Sequence, residues 1–415
     1  MMKDIFRALK YRNYRSFFVG QAISVIGTWM QQTAMSWLVY RITNSPWLLG
    51  TTAFFGQIPN LILAPFAGVF VDRFNKHKIV ILTQTLALIQ ALILSILTLS
   101  GVIQVWHIIL MNIFLGVVNS VDAPARQSFV VEMVDRKEDL ANAIALNSFI
   151  FNSARLIGPT ISGFVVALLG EGICFLINAI SYLAVIIALL FMRLKPKKSI
   201  PTQNNILQNL KEGFVYSFKF LVVRYTLIYL SICSMVASFY QVLMPVFAGK
   251  VFHGGPQTLG FLMGALGIGT LIGALYVAGR KSILGIERNI AYSLVFMGLG
   301  LILFSISKTF ILSFLLLILI GFTYIINVVS SNTLVQTVID DEIRGRVMSF
   351  YVMFFMGAMP IGSFLGGALG NIIGPSYTVL LGGIICLLSF SFYYSRLSLL
   401  NTNIQKAIKK RDFVS

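Results

Sequence analysis

Long apolar runs alternate with short polar segments along this chain, and the runs have the length that crosses a membrane. They fall into two sets of six, near residues 16–39, 46–70, 79–100, 104–122, 141–168 and 172–192, and then near residues 222–246, 257–279, 289–307, 310–331, 347–373 and 376–395. A helix needs about 20 mainly apolar residues to cross the hydrocarbon core of a bilayer. The pattern therefore predicts an all-α polytopic membrane protein with 12 transmembrane helices in two six-helix halves.

A long polar stretch falls between the two sets of runs. It extends from Arg193 to about Arg224 and contains Pro196, Pro201 and seven Lys or Arg residues. We therefore expect an N-terminal half at residues 1–193, a cytoplasmic linker at 194–221 and a C-terminal half with a cytoplasmic tail at 222–415. An acidic pair precedes a Gly-containing helix in both halves, at 138–139 and 341–342, which favours two parallel repeats.

The composition excludes an ordinary soluble enzyme. Of the 415 residues, 57% are hydrophobic and only 11% are charged, whereas soluble domains carry about 25% charged residues. Residues 1–7 are too charged for a signal peptide and lack a small-residue cleavage site. Cys174, Cys233 and Cys386 lie inside apolar runs without metal-ligand spacing, so we expect three buried thiols and no metal site.

The basic residues predict the orientation of the helices. With the N-terminus inside, the cytoplasmic segments contain 28 Lys and Arg residues, and the opposite side contains three, which are Arg41, Lys250 and Lys308. Cytoplasmic loops carry the excess of Lys and Arg in membrane proteins. We therefore expect both termini in the cytoplasm, and these loops explain the net charge of +18 without a nucleic-acid partner.

The turn between the second and third spans carries a motif. Residues 68–78 read GVFVDRFNKHK, which resembles the signature G-x-x-x-D-R-x-G-[RK]-x-[RK] of the major facilitator superfamily. Asn75 stands where that signature has Gly, and Asn also tolerates a left-handed turn conformation. Further strings at 27–32, 122–127, 142–147, 154–159 and 344–347 are similar to those of the bacterial export branch that contains enterobactin and macrolide exporters. The resemblance covers about residues 5–400 and implies the major facilitator fold, alternating access and a monomer in the bacterial inner membrane.

The resemblance also implies gating residues. Gly158 and Pro159 in helix five resemble the antiporter signature of exporters, and the turn at the cytoplasmic side contributes Gly68, Asp72, Arg73, Lys76 and Lys78. Asp72 would accept hydrogen bonds from the free N–H groups that open the eleventh helix near Val347, and would latch that side shut. A solvated loop aspartate is the alternative. The matching residues 273–280 of the second half contain no Asp, so the latch would be one-sided.

Glycine rows mark helices that pack closely. Gly362, Gly366, Gly370 and Gly374 recur every fourth residue in the eleventh span, and Gly260, Gly264, Gly269 and Gly273 lie in the eighth. Small residues let helix backbones approach each other in membranes. We expect these rows where helices move against each other.

Polar residues recur at helical spacing in the first, fourth, seventh and tenth spans, the helices that line the central cavity in this superfamily. In the first span, four such residues share one face. The predicted substrate-binding residues are Gln21, Ser24, Thr28, Gln31, Asn112, Asn119, Arg155, Ser234, Ser238, Gln241, Thr323 and Asn327. For any single Ser or Asn, hydrogen bonding between helices is the alternative.

Arg155 is the most informative of these residues because it lies about 21 Å along the fifth helix. An arginine at the bilayer centre costs at least ~2.5–3.5 kcal/mol, and no Asp or Glu has a comparable depth in any span. Two interpretations stay open: Arg155 bonds to carbonyls and amides of the protein, or it meets an anionic group of the substrate.

The carboxylates limit the choice of a proton carrier. The fourteen acids lie in loops, tails or helix ends, and the arginine that many antiporters carry within helix four is absent. Asp72 and Asp122 are the two proton-coupling candidates.

The sequence thus favours a secondary active transporter that exports an amphipathic small molecule, drug-like or siderophore-like, in exchange for protons. Movement of a lysophospholipid or another lipid is the alternative within transport. A membrane-embedded enzyme is disfavoured because no His-x-x-x-x-Asp or His-Glu-x-x-His occurs, and no Walker loop is present. We expect no catalytic residues and no cofactor. The expected partners are the small-molecule substrate, membrane lipid and protons.

Overall fold

The computed structural model describes residues 6–134, 136–192, 206–280 and 285–412. Within these residues the chain is helical and contains no strand, which confirms the predicted all-α polytopic fold. The helices are α1 (Arg12–Thr43), α2 (Pro46–Arg73), α3 (Lys76–Leu99), α4 (Val105–Met133), α5 (Lys137–Leu169), α6 (Glu171–Leu190), α7 (Ile206–Lys219), α8 (Leu221–Val246), α9 (Pro256–Ala278), α10 (Ile286–Ile306), α11 (Phe310–Val338), α12 (Asp341–Ile372), α13 (Pro375–Ser395) and α14 (Leu397–Asp412). A short 3-10 turn, Arg7–Lys10, precedes α1, and a π-helical segment, Phe247–Val251, follows α8.

The count of twelve membrane-crossing helices is not confirmed. In the described ranges, ten helices, α3 to α6 and α8 to α13, are long and apolar enough to cross a membrane. The two parts of α2, Pro46–Leu63 and Phe66–Arg73, are bent by 59° and would form the eleventh span together. The remaining predicted span is α1, whose face of Gln, Ser and Thr residues makes it more polar than the other spans.

The predicted linker is helical in its second part. Residues 194–205 of the linker lie outside the described residues, whereas 206–219 form α7. This helix packs on the beginning of α12: the Glu212 carboxylate accepts a hydrogen bond from the Arg346 guanidinium, and the ring centroids of Phe214 and Phe350 are 6.0 Å apart. Gly213 fits there because a Cβ would lie 3.0 Å from the backbone oxygen of Arg346.

The helices group into two compact units that differ from the predicted halves at two places. Unit 1 contains residues 1–44, 55–203 and 248–264, and unit 2 contains residues 45–54, 204–247 and 265–415. Residues 45–54 belong to unit 2 because the start of α2 touches α12 there: a Cβ on Gly50 would lie 2.5 Å from the backbone oxygen of Ser363. The end of α5 and the start of α9 form the corresponding contact within unit 1.

The contact between α5 and α9 in unit 1 depends on glycine. A Cβ on Gly260 would lie 2.6 Å from the Pro159 backbone oxygen and 3.0 Å from the Gly163 Cα atom. Real Cβ atoms do not approach backbone atoms this closely, so any side chain at Gly260 would push the helices apart. The glycine row predicted in the eighth span therefore lies, at this position, in a helix–helix contact.

Replacing Gly260 should destabilise the protein. Gly260→Val forces α5 and α9 apart, and we expect overpacking to lower the free energy of unfolding by about 1–3 kcal/mol. Gly345→Val is the matched control, since a Cβ there meets no described atom within 4 Å. Thermal unfolding of the detergent-solubilised full chain measures both, and an equal decrease of Tm in the two variants would contradict the packing argument.

The 3-10 turn at the N-terminus is held by the first turn of α5. The backbone N–H of Ala8 donates to Asn142 Oδ1 at 2.9 Å, and Tyr11 OH donates to Asp139 Oδ2 at 2.7 Å. Lys10 Nζ lies 2.7 Å from the same carboxylate. This hydrogen bond raises the pKa of Lys10 above its ordinary value, so the lysine stays charged across the physiological range.

The three cysteines are free and buried, as their positions inside apolar runs predict. Cys174 lies within 3.6 Å of the Ser162 hydroxyl in unit 1, and Cys233 contacts the Met297 sulfur at 3.5 Å in unit 2.

Candidate functional site

Asp122 lies at the centre of a buried polar network in unit 1. Helix α4 continues to Met133, eleven residues beyond the end of its apolar run, so Asp122 lies within the helix rather than at its end. Its carboxylate is only 4% exposed. The Oδ1 atom accepts hydrogen bonds from Thr83 Oγ1 at 2.7 Å and from Gln84 Nε2 at 2.9 Å, both on α3. These hydrogen bonds satisfy a carboxylate that would otherwise be costly to bury.

Arg126, one turn along α4, is the cation that faces this carboxylate. Its Nη2 atom lies 3.4 Å from Asp122 Oδ2, and its side chain is 16% exposed. The Cζ atom also lies 5.0 Å from the centroid of the Phe151 ring on α5. Arg126 was not predicted as a site residue, and the prediction that helix four lacks such an arginine is corrected because α4 extends to Met133 and contains Arg126. Its spacing of four from Asp122 on one helix is a signal that could have found it.

Arg155 follows Phe151 by one turn of α5 and repeats the arginine–aromatic contact. Its Cζ atom lies 5.1 Å from the Trp29 ring of α1, and the residue is half-buried. In the described ranges no carboxylate lies within 4.0 Å of its guanidinium. A half-buried arginine that has an aromatic partner but no carboxylate is available to an anionic group of a ligand.

The predicted polar face of the first span packs against α3 and α6. Gln31 donates to Gln90 Oε1 at 2.9 Å and accepts from Asn178 Nδ2 at 2.8 Å, and all three side chains are buried. Thr28 Oγ1 lies 3.3 Å from Tyr182 OH. Gln21 and Ser24 are buried as well, and Gln21 Oε1 has no partner among the described atoms.

These contacts are hydrogen bonds between helices, which was the alternative to substrate binding. Gln90 and Asn178 complete the network and were missed, although an amide inside an apolar run is a signal for such a bond. The substrate role of this face stays a prediction.

The predicted residues of α4 lie in different surroundings. The Asn112 side chain is half-buried and faces Gly56 of α2, where a Cβ would lie 3.4 Å from Asn112 Cβ. Asn119 is exposed. Both can reach a ligand more readily than the buried residues of α1.

The predicted residues of unit 2 are mostly buried. Ser234, Ser238, Thr323 and Asn327 are each at most 3% exposed, whereas Gln241 is half-buried. Asn327 Nδ2 donates to Ser293 Oγ of α10 at 2.9 Å. Within the described part of the chain, Ser234 Oγ and Asn327 Oδ1 have no hydrogen-bond partner, so these buried groups retain hydrogen-bonding capacity.

In the signature turn between α2 and α3, Asn75 caps the start of a helix. This residue is the N-cap of α3, and its Oδ1 accepts from the backbone N–H of Lys78 at 3.2 Å. Its φ of −67° is ordinary extended backbone, so Asn75 does not use the left-handed conformation that asparagine tolerates. An asparagine side chain can satisfy a free N–H at a helix start, which a glycine cannot do.

The gating residues around this turn are largely exposed. Asp72, Arg73 and Lys78 are exposed, and Lys76 Nζ lies 3.3 Å from Glu132 Oε1 at the end of α4. No described group donates to the Asp72 carboxylate or pairs with it. A Cβ on Gly68 would meet no described atom within 4 Å.

The other two gating residues lie inside α5. Pro159 is buried, and a Cβ on Gly158 would lie 2.5 Å from Trp29 Cβ, so Gly158 lets α1 and α5 approach closely.

Replacing Asp72 should affect transport and not folding. Asp72→Asn keeps the shape of the side chain and removes the charge that a latch requires, so we expect transport to fall steeply with unchanged protein yield and Tm. Glu138→Gln, an exposed acid at another helix start, is the control. Wild-type transport in Asp72→Asn would mean that Asp72 is a solvated loop residue.

The chain matches one family model and is similar to several known membrane proteins. Residues 5–413 match the family model described as transmembrane secretion effector, MFS_3. The chain is 27% identical to the staphyloferrin A transporter of Staphylococcus aureus, covering 92% of this chain and 96% of that protein. It is 23% identical to macrolide efflux protein A of Streptococcus pyogenes, covering 91% and 96%. It is also 23% identical to the enterobactin exporter EntS of Shigella boydii, covering 87% and 86%.

Solved structures share the fold. A bacterial homologue of the iron transporter ferroportin matches with a TM-score of 0.73 at 15% identity, covering 93% of this chain and 99% of that one. A bacterial homologue of the lysosomal transporter Spinster matches with a TM-score of 0.72 at 13% identity, covering 96% and 98%. The helical fold, the apolar spans and the match over nearly the whole chain lead to one conclusion: this integral membrane protein belongs to the transmembrane secretion effector family of major facilitator transporters.

Proposed function

We propose that the chain is a secondary active transporter that exports an amphipathic small molecule by alternating access, in exchange for protons. The observation that carries the proposal is the buried Asp122 carboxylate, which pairs with Arg126 and is hydrogen-bonded by α3. Ionisable groups inside transporters mark proton and substrate pathways. The printed names of relatives, a macrolide efflux protein and an enterobactin exporter, support export as the direction.

An amphipathic substrate suits the side chains around Asp122. Phe151 and Trp29 offer aromatic surface, and the guanidinium groups of Arg126 and Arg155 lie on these rings. Thr28, Asn112 and Asn119 are the predicted polar residues of unit 1, besides Arg155, that are not buried. We assign the substrate to these groups and to Arg155 in preference to the fully buried amides.

Export in exchange for protons can be tested in intact cells. Cells that express the chain are loaded with Nile red, an uncharged aromatic dye, and its efflux is followed by fluorescence. We expect faster efflux than in cells with the empty vector, and the difference should disappear when an uncoupler collapses the proton gradient. Equal rates in both strains, or a difference that survives the uncoupler, would contradict proton-driven export of this dye.

The orientation is tested separately. A reporter fused after Ser415 should be active only in the cytoplasm, and a reporter inserted at His253 only outside, because the Lys and Arg residues concentrate in the segments assigned to the cytoplasm. Two reporters active on the same side would contradict the assignment.

A further inference from the structure

We propose that Arg126 alternates between the Asp122 carboxylate and the Phe151 ring, and that the Phe151 face so uncovered binds a planar, uncharged aromatic part of the substrate. A proton on Asp122 and a ligand on Phe151 then exclude each other. This inference rests on the proposed export function and adds a binding subsite and a cause for proton exchange.

The geometry places Arg126 between two partners. Its Nη2 atom is 3.4 Å from Asp122 Oδ2, which is longer than a charge-assisted hydrogen bond of about 2.7–2.9 Å. Its Cζ atom is 5.0 Å from the Phe151 ring centroid, within the range of about 6 Å for a cation–π contact. The guanidinium is therefore shared, and a small movement toward either side strengthens one contact and weakens the other.

The two partners are on different helices. Asp122 and Arg126 belong to α4, and α3 holds the carboxylate through Thr83 and Gln84. Phe151 belongs to α5, is half-buried, and lies beside a cluster that α1 and α5 form around Val25, Ile150 and Ala154. Because the carboxylate is fixed by two hydrogen bonds, Arg126 is the member of the pair that can move.

The surrounding groups leave Arg126 as the cation that pairs with Asp122. Helix α3 contributes the uncharged Thr83 and Gln84, and α6 contributes the uncharged phenol of Tyr182, whose OH lies 3.3 Å from Thr28 Oγ1. Helix α5 contributes Arg155, one turn beyond Phe151, whose guanidinium lies on Trp29 of α1. Protonation of Asp122 therefore removes the charge that holds Arg126 and leaves the Phe151 ring as its aromatic partner.

The direction of this coupling agrees with the exchange of substrate for protons. A ligand that stacks on Phe151 displaces Arg126 toward Asp122, where the cation favours the ionised carboxylate, so the proton leaves to solvent. A proton that binds Asp122 releases Arg126 onto the ring, where it covers the ligand surface. The aromatic part of the ligand is uncharged at this subsite because a cationic ring would be repelled by Arg126 and Arg155.

The movement of Arg126 can be measured without a ligand. The infrared C=O band of the protonated Asp122 carboxyl, identified as the band that Asp122→Asn removes, is followed against pH in the purified full chain. Arg126→Gln removes the cation that favours the ionised carboxylate, so the midpoint of the band should move to higher pH. Phe151→Leu removes the competing ring, so the midpoint should move to lower pH. Phe149→Leu, an exposed phenylalanine of the same helix, is the control and should leave the midpoint unchanged.

The ligand subsite is measured by binding of radiolabelled chloramphenicol, an uncharged aromatic probe. We expect weaker binding at pH 6 than at pH 8 in the wild type, and no pH dependence in Asp122→Asn. Phe151→Leu should weaken binding about fivefold at pH 8 because an aromatic contact is lost, whereas Phe149→Leu should bind like the wild type.

The outcomes separate this proposal from the proposed function. Shifts of the carboxyl band in opposite directions in Arg126→Gln and Phe151→Leu support the movement of Arg126 even if proton-driven efflux fails in cells. Unshifted or parallel midpoints overturn it even if efflux succeeds. Equal chloramphenicol binding by the wild type and Phe151→Leu, or no specific binding by the wild type, overturns the aromatic subsite.

Discussion

Asp122→Asn should abolish proton-driven export while the protein still folds. The asparagine Oδ1 atom can still accept the hydrogen bonds from Thr83 and Gln84, but the amide cannot bind and release a proton. Arg126 loses its ionic partner, so we expect the free energy of unfolding to fall by about 1–3 kcal/mol. Efflux of Nile red from energised cells should then equal that of cells with the empty vector, at a similar protein level.

Two comparisons make this result specific. Glu138→Gln neutralises an exposed acid at the start of α5 and should export like the wild type. Counterflow of dye between equal pH values needs no proton, so it should continue in Asp122→Asn, but at a higher dye concentration because Arg126 then covers the Phe151 ring. Wild-type export by Asp122→Asn would exclude Asp122 as the proton carrier.

Arg155 variants should separate anionic from other substrates. Arg155→Lys keeps the charge but loses the planar group that stacks on Trp29 and matches a carboxylate. We expect export of the anionic dye carboxyfluorescein to fall more than export of the uncharged dye Nile red, and we expect Arg155→Ala to abolish carboxyfluorescein export. Arg396→Gln, which changes an exposed arginine, should leave both rates unchanged.

The alternative role of Arg155 predicts a different result. If Arg155 only ties α5 to α1, Arg155→Lys and Arg155→Ala should lower Tm, and export of both dyes should fall alike. Arg155→Gln decides between the roles because an amide can replace hydrogen bonds to carbonyls but cannot neutralise an anion. A stable Arg155→Gln protein that exports carboxyfluorescein normally would remove Arg155 from the substrate site.

The fold could be predicted from the sequence because the hydrocarbon core of a bilayer requires each span to be mainly apolar. Runs of about 20 apolar residues must be helical to satisfy their backbone groups, and the described spans follow these runs. The exception is α1, where polar residues on one face make the helix less apolar than the other spans. Composition therefore predicted the helical class of the fold better than it predicted the number of spans.

The candidate site was harder to predict because hydropathy marks the membrane and not the end of a helix. The apolar run of the fourth span ends at 122, but hydrogen bonding continues to Met133. Asp122 and Arg126 are therefore successive turns of one helix, and this pairing was missed. Periodicity correctly grouped Gln21 to Gln31 on one face, but it could not tell which neighbour that face meets, and Gln31 contacts Gln90 and Asn178.

Proton exchange by the purified protein tests the central proposal most directly. The full chain is reconstituted into proteoliposomes with an acidic lumen and a neutral exterior, and uptake of the uncharged dye Nile red is measured together with lumenal pH. We predict that the wild type accumulates dye above the level of protein-free liposomes while protons leave the lumen, and that nigericin and Asp122→Asn each abolish both signals. Dye movement that is equal with and without the pH gradient, or unaccompanied by proton release, would contradict exchange for protons.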